Sequence, residues 1–358
     1  MINRIKLSGS PYQIGELHGR KGKKEVIQSL ETYESLFWGY STLTWSQARE
    51  VALEHLTAIE AYNSDFIKEM EGVAKGAGVD FEDILVLNTR SEIALTGIRT
   101  FSDGCTAIAT TPPISKDTII GQNWDWKHSQ TKSLLLLEIE QEGKPVIKMI
   151  TEGGIIGKIG FNSAGIGVCL NALMTDRKSA QLPIHLGLRS VLNSHSLHEA
   201  ISKINHGQIA SAANFLIASY EGEGQSMAAN IEVSPFGIDM FAGIDGTVVH
   251  TNHLCSQELK NHLKETNEFI FEDSMIRKNR AEQLIHVKAK AGTEINEENY
   301  KEWFTDTFNY PNSINHHANP NAPEHRQMET VFSIIMNLTK QTMQLCIGKP
   351  TVEGYVKV

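Results

Sequence analysis

The chain has 358 residues, 41% of them hydrophobic and 21% charged, with a formal net charge of −9. That is ordinary globular composition, long enough for one large domain or two smaller ones. The acidic balance, spread without long charged runs, disfavours nonspecific nucleic-acid binding, and no run of 18 apolar residues offers a membrane span.

The opening stretch, MINRIKLSGSPYQ, lacks the apolar core of a signal peptide, so the expected compartment is the cytoplasm. Residues 20 to 100 read as helical. EVIQSLETYESLFWGY and SQAREVALEHLTAIEAYNSDFIKEMEGVAKGAG carry apolar residues at three- and four-residue spacing, and Gly76 and Gly78 supply a stop. DFEDILVLNTRSEIAL reads as a further helix, with Asp80 as its N-cap.

After about residue 104 the pattern changes. CTAIATT, TIIGQNW, KSLLLLEIEQ, PVIKMITEG and GIGVCLNAL are strand-like runs, with turn chemistry at EQEGKP and NSAG. Two helices follow, LPIHLGLRSVLNS and SLHEAISKINHG. Strands return in AANFLIASYEG, SMAANIEVSP, GIDMFAG and GTVVHTNH. A polar helical block runs from about Asp273 to Lys290, SINHHANPNAPEH reads as a loop, and the chain closes on a hairpin across LTKQ. Grouped antiparallel strands with helices in separate blocks indicate an α+β architecture, sheets covered by helices.

Four cysteines, Cys105, Cys169, Cys255 and Cys346, lie far apart with no C-x-x-C pair. A disulfide framework or structural zinc is therefore not expected. Cys105 stands out by position, directly after Gly104 at the head of the first strand of the sheet-rich part. A thiolate is a strong nucleophile, and a thiol beside its own upstream peptide bond can attack that carbonyl. An N-to-S acyl shift and hydrolysis would free Cys105 as a new amino terminus. Its α-amino group, with a reference pKa of about 8, can then serve as base for its own side chain. The plain alternative is a buried cysteine packing as a small hydrophobe.

Asp125 in GQNWDWK, between two tryptophans, is a carboxylate placed to hold that ammonium group; its alternative is a turn aspartate. Gln122 and Trp124 of the same run are candidate substrate contacts. Asn171 ends the strand GIGVCLNAL, and Asn252 follows the apolar run VVH; amide donors aimed at a developing oxyanion are a large term in acyl transfer. His250 and His253 raise a metal reading, but no H-E-x-x-H or similar spacing supports one, and no metal is expected. A histidine partner for Cys105 in a papain-like arrangement stays open, although the local signature does not match that class.

Together, DGCT, GQNWDW, ITEGGIIGKIGFNSAGIGVCLNAL and VVHTNH, in this order, resemble the acyl-coenzyme A:6-aminopenicillanic acid acyltransferase family of self-processing N-terminal-nucleophile hydrolases. YQIGELHG, LNTRSEI and the closing hairpin extend the resemblance over most of the chain. It implies a four-layer αββα sandwich. It implies cleavage between Gly104 and Cys105 into a helical segment, 1–104, and a catalytic segment, 105–358, that stay associated as one structural domain. It assigns the nucleophile to Cys105, its companion carboxylate to Asp125, and oxyanion donors to Asn252 and, through its backbone, Asn171. One departure stands out. Family members often carry Y-P-x-S-I-C-R, and here YPNSINHH puts Asn315 and His316 at the Cys-Arg positions, leaving His316 as a further candidate substrate contact.

The activity expected is therefore a self-processing amidohydrolase or acyltransferase on small N-acyl amides, penicillin-like or N-acyl amino compounds, with no cofactor. A coenzyme A thioester stands as an alternative acyl donor. Coenzyme A-dependent transfer as the main activity, and a non-catalytic ligand-binding homologue, are the rival readings. Neither nucleic acid nor membrane is an expected partner.

Overall fold

In the computed structural model, residues 2–94, 104–205 and 208–358 are described. The strands are β1 Asn3–Ser8, β2 Thr106–Thr110, β3 Ile119–Lys127, β4 Leu134–Glu140, β5 Ile147–Glu152, β6 Ile159–Asn162, β7 Ile166–Ala172, β8 Ala213–Tyr220, β9 Ser226–Ser234, β10 Gly237–Phe241, β11 Thr247–His250, β12 Met328–Asn337, β13 Thr342–Ile347 and β14 Val356–Lys357. They form two sheets. One has eight strands in the order β1-β4-β5-β6-β7-β8-β9-β10, and the other has six in the order β11-β2-β3-β12-β13-β14. Every named pairing is antiparallel except β1 with β4.

The sheets face each other through β2, β3 and β11 on one side and β7, β8 and β9 on the other. Helices Pro11–Lys21, Lys23–Ser41, Ile184–Leu192 and Leu197–Ile204 pack on the eight-stranded sheet. Helices Met275–Lys290 and Glu297–Phe304 cover the outer face of the six-stranded one. This is the four-layer αββα arrangement of an α+β protein. The layering explains why β3, IIGQNWDWK, is buried along nearly its whole length and shows no apolar-polar alternation. One face meets the opposite sheet and the other meets helices, so neither is left for water. The outer side has its own core, in which Tyr300, Trp303 and Phe304 pack against Ile119, Ile335 and Ile285.

Local chemistry starts the helices where the sequence permits. Ser10 with Gln13, Thr44 with Gln47, Asp80 with Asp83 and Asn296 with Asn299 form reciprocal capping boxes. Several elements escape the periodicity reading, among them helix Pro11–Lys21, the short parallel edge strand β1, and helix Glu297–Phe304, which is brief and polar on one side. The expected stop at Gly76 and Gly78 also needs correction. Gly78 is the C-cap, with φ +74°, but Gly76 lies inside helix Leu56–Ala77.

Gly76 has another task. Helices Pro11–Lys21 and Leu56–Ala77 cross backbone against backbone at Gly15, Gly19, Gly72 and Gly76. A Cβ on Gly15 would fall 1.9 Å from the Glu69 carbonyl oxygen, and one on Gly72 2.2 Å from that of Tyr12. Contact this close needs glycine. Beside it, Arg189 and Glu69 make a buried two-pronged ion pair, at 2.8 and 2.9 Å, that fixes helix Ile184–Leu192 to the crossing. Gly72→Ala is therefore expected to destabilise the protein by about 1–3 kcal/mol or more, the cost of overpacking, read as a lower urea midpoint at unchanged slope.

Candidate active site

The site is built where β2 begins. Thr106 pairs with Asn123 on β3, and continuing that antiparallel register sets Cys105 opposite Trp124 and Gly104 opposite Asp125. Alternation along β3 then sorts its side chains. Gln122 and Trp124 face the opposite sheet, whereas Asn123 and Asp125 face the outer layer. There Asn123 donates to the carbonyls of Phe304 and Ile314, each at 2.9 Å. A bulge between Thr330 and Phe332 sets Thr330 across from Asp125, and its hydroxyl donates to Asp125 Oδ1 at 2.6 Å. Gly104 is wedged against this corner. A methyl carbon on it would lie 2.8 Å from Asp125 Oδ2 and 3.2 Å from His316 Nδ1.

Cys105 is buried, 1% exposed. It lines a narrow apolar cavity of about 30 Å³ together with Trp124, Trp126, Leu170, Met174 and Ile184. A larger groove, about 630 Å³, lies elsewhere between helices Leu56–Ala77 and Ile184–Leu192, and its walls carry no cysteine, histidine or carboxylate. The candidate nucleophile opens onto the smaller space.

The other residues singled out in the sequence take these places. Asn171 donates Nδ2 to the Cys105 carbonyl at 3.3 Å and to that of His250 at 3.4 Å, so its side chain is committed and a further donor from it would be its backbone. Asn252 lies two residues past β11. Its Nδ2 donates to the Ala172 carbonyl at 3.1 Å, and its Oδ1 accepts from Arg277 Nη2 at 3.1 Å. Trp124 lines the cavity and stacks on Trp126 and Phe332, with Lys158 Nζ 3.6 Å from its ring centre. Gln122 is fully buried and bonded through both amide atoms to the Leu170 backbone, so it pins the two sheets together and does not line the cavity. His316 sits on the Asp125 side of Gly104, away from the cavity walls.

The model of the family described as acyl-coenzyme A:6-aminopenicillanic acid acyl-transferase matches residues 114–351, more than half of the chain. The chain belongs to this family. It is an enzyme. It is also 32% identical over 350 residues, 97% of its length and 92% of the relative's, to the 40 kDa form of the acyl-coenzyme A:6-aminopenicillanic-acid acyltransferase of Emericella nidulans. Two solved structures are similar at lower level. A mutant conjugated bile acid hydrolase from Clostridium perfringens matches with TM-score 0.49 and 12% identity, over 71% of this chain and 92% of that one. Penicillin V acylase from Agrobacterium tumefaciens matches with TM-score 0.44 and 13% identity, over 68% and 83%. Among the described residues no helix is long and apolar enough to cross a membrane.

Sequence reasoning missed three groups in this family member. Arg277, on helix Met275–Lys290, is fully buried. It donates to the Cys105 carbonyl at 2.6 Å, to Thr106 Oγ1 at 3.2 Å, to Asn252 Oδ1 at 3.1 Å and to Asp273 at 2.5 Å. The i, i+4 spacing of Asp273 and Arg277 was the available signal, but such pairs are common on solvated helix faces. The second group is Thr330, which a strand pattern cannot single out. The third is the buried set of Arg90, Lys158 and Glu152 beside Trp124 and Trp126. Burial alone would raise the Glu152 carboxyl, but Arg90 and Lys158 hold it well below the usual carboxylate range. Burial lowers Lys158 to about 8, against the pull of Glu152 and of a Cys105 thiolate.

Glu232, His250 and Cys255 bring one candidate metal-ligand atom each within 4.8 Å. Their hydrogen bonds are already spent. Glu232 accepts from the backbone N–H groups of Cys255 and Ser256, at 2.7 and 3.0 Å, and pairs with His250 Nε2 at 2.9 Å, while His250 Nδ1 meets the Thr251 carbonyl at 2.8 Å. The set anchors the loop that carries Asn252.

Two outcomes follow from this geometry. Arg277→Lys cannot reproduce a planar fork serving four acceptors. It is expected to lower the urea midpoint by an amount equivalent to at least one charged hydrogen bond, about 1.5–3 kcal/mol. The second concerns pH. Burial alone would lower His250, but the Cys255 thiol and the Glu232 carboxylate hold it up at about 9, from an ordinary value of 6.5. A raised imidazole adds stability that is fully present below pH 6.5 and is lost as pH rises through about 9. Glu232→Gln should remove this contribution. The difference in urea midpoint between wild type and variant is then expected to shrink steadily between those pH values.

Proposed function

We propose that the protein is a self-processing enzyme whose Cys105 thiol, freed as an amino-terminal nucleophile by cleavage of the Gly104–Cys105 bond, attacks the acyl carbonyl of small N-acyl amides. The observation that carries this reading is the corner at the head of β2. Gly104 is wedged against Asp125, and the next residue, Cys105, opens onto an apolar cavity. The same carboxylate is then close at hand for the ammonium group that cleavage would create.

In this reading the α-amino group takes the thiol proton, and the thiolate adds to the substrate carbonyl. The tetrahedral oxyanion is stabilised by Asn252 Nδ2, with the Asn171 backbone as second donor. Arg277, bonded to Asn252 Oδ1, turns the amide so that its Nδ2 points away from the guanidinium. The amine leaves with the proton, and the acyl thioester passes to water or to another amine. Mostly apolar walls and stacked tryptophans, with Arg90 and Ser91 also lining the space, suit an apolar acyl group that carries a polar end. The Emericella nidulans relative is an acyl-coenzyme A:6-aminopenicillanic-acid acyltransferase, which supports an acyl group and an amine as the two partners and keeps a coenzyme A thioester as an alternative donor. Segments 1–104 and 105–358 remain associated after the cut, because β1 is bonded along β4 in the eight-stranded sheet.

The decisive measurement is the mass of the denatured protein beside a Cys105→Ala variant. Two chains in wild type, the larger beginning at Cys105, and one chain in the variant are expected. A single intact chain in both would sink the maturation step. In matured protein Asn252→Ala should lower kcat on a cleaved acyl amide by roughly 10²–10³-fold, the usual loss for one oxyanion donor. An unchanged kcat would remove Asn252 from that role.

A further inference from the structure

The groove of about 630 Å³ between helices Leu56–Ala77 and Ile184–Leu192 differs in chemistry from the Cys105 cavity. Its size suits a small organic ligand, since such sites usually enclose about 300–1,000 Å³. Tyr62 and Phe66, whose rings stack at 6.3 Å and 24°, give it a flat apolar side on helix Leu56–Ala77. The opposite lining is polar. It includes Lys144, on the turn between β4 and β5, and Asn193, the C-cap of helix Ile184–Leu192. Among the described residues it holds no carboxylate.

The unspent groups of this lining are donors. Asn193 is only 6% exposed. Its Oδ1 accepts from Arg189 Nε at 3.3 Å, and among the described residues its Nδ2 has no acceptor. A buried N–H group in that position calls for an acceptor from the groove. Lys144 makes no ion pair among the described residues, because the charges around it are already matched. Glu69 is paired with Arg189, Asp65 with Lys68 at 3.1 Å and Glu199 with Lys203 at 2.7 Å. Burial, and then the Arg189 cation, lower the Lys144 ammonium below the usual lysine range, so an anion seated beside it is stabilising. Lys144 and Asn193 lie on one side of the groove. Of the two cations that act on Lys144, Arg189 donates to the Asn193 side chain and Lys203 to its carbonyl at 3.2 Å. Gln208 Oε1, buried and without a partner among the described residues, is a complementary acceptor for a ligand hydroxyl or amine.

We propose that this groove is a binding site for a nucleoside phosphate. The phosphate lies on the Lys144 and Asn193 side, where its several oxygens answer an ammonium and an amide donor at once. The base lies along the Tyr62 side, and Gln208 takes a hydroxyl or amine of the nucleoside. A bare anion would leave the aromatic side and Gln208 unused, and an uncharged nucleoside would leave Lys144 without a counter-charge. The site is distinct from the Cys105 cavity, and the inference does not rest on the self-processing reading. The two spaces nonetheless share an element. Ile184, the first residue of helix Ile184–Leu192, lines the cavity, and Ser190 of the same helix lines the groove.

The test titrates adenosine 5′-monophosphate into the full-length protein by isothermal calorimetry, with adenosine and inorganic phosphate as separate probes. The monophosphate is expected to bind, and each of the other two to bind more weakly. Lys144→Gln, on an outer turn, should weaken the monophosphate by roughly 10–100-fold, the range for one charged hydrogen bond. Asn193→Asp keeps an oxygen for Arg189 but sets a carboxylate where the N–H groups stood, and should weaken it at least as much in protein of native circular dichroism. Wild type that takes up no monophosphate at millimolar ligand overturns the proposal, and so does binding that Lys144→Gln leaves unchanged. Adenosine binding as tightly as its monophosphate would remove the anion from the recognition. Inorganic phosphate binding as tightly would reduce the groove to a site for a bare anion, and either result overturns the assignment.

Discussion

A guanidinium buried beside a thiol has to be satisfied on all sides, and that requirement organises the site. Removing a cation from water costs several kcal/mol unless a counter-charge and acceptors surround it. Arg277 meets this with the Asp273 carboxylate one helical turn back and with three acceptors drawn from β2 and the Asn252 loop. The consequence is geometric. Helix Met275–Lys290 cannot shift without dragging the Cys105 backbone, and Asn252 cannot flip its amide without presenting N–H groups to a cation. Ser274, next to Asp273, accepts from the Asn252 N–H at 2.8 Å and completes the clamp.

The inter-sheet seam follows the same logic with neutral groups. Sheet-on-sheet packing usually relies on apolar interdigitation, but here amides are threaded through it. Gln122 bonds to Leu170, Asn171 reaches the carbonyls of Cys105 and His250, and Asn214 bonds to both Asn171 and Asn230, which donates to the Val249 carbonyl. Buried polar groups so paired specify one register, because a slip by a single residue would turn each of them toward apolar neighbours. Strand β2 is therefore held by directional bonds at its Cys105 end, while apolar burial supplies the general cohesion.

The two sheets were legible because their strands are apolar, short and bounded by Gly, Asn and Pro turns. The mixed architecture followed from their grouping. Gly104–Cys105 and Asp125 stood out as residue types odd for their surroundings, a thiol after a glycine and an acid between tryptophans. What could not be read was pairing across distance. Thr330 looks like any strand threonine until a bulge sets it opposite Asp125, and Arg277 looks like a solvated helix charge until the fold closes over it. Gln122 failed in the other direction. A polar residue in a site-like motif invites a functional role, but its place in the strand alternation spends it on the sheet interface. Gly76 looked like punctuation because sequence shows no partner helix, and only the crossing reveals why a side chain is excluded.

The position of these partners along the chain sets an order of events during synthesis. Gly104 and Cys105 emerge from the ribosome long before Arg277, His316 and Thr330, which lie in the final third of the polypeptide. Until those residues arrive, β3 lacks β12 at its side, Asp125 lacks the hydroxyl that aims it, and the Cys105 carbonyl lacks its guanidinium. A nascent chain thus carries the thiol and its neighbouring peptide bond without the groups that surround them in the finished fold. Any chemistry that needs this corner has to wait until translation has passed Thr330, so the arrival of β12 sets its earliest moment.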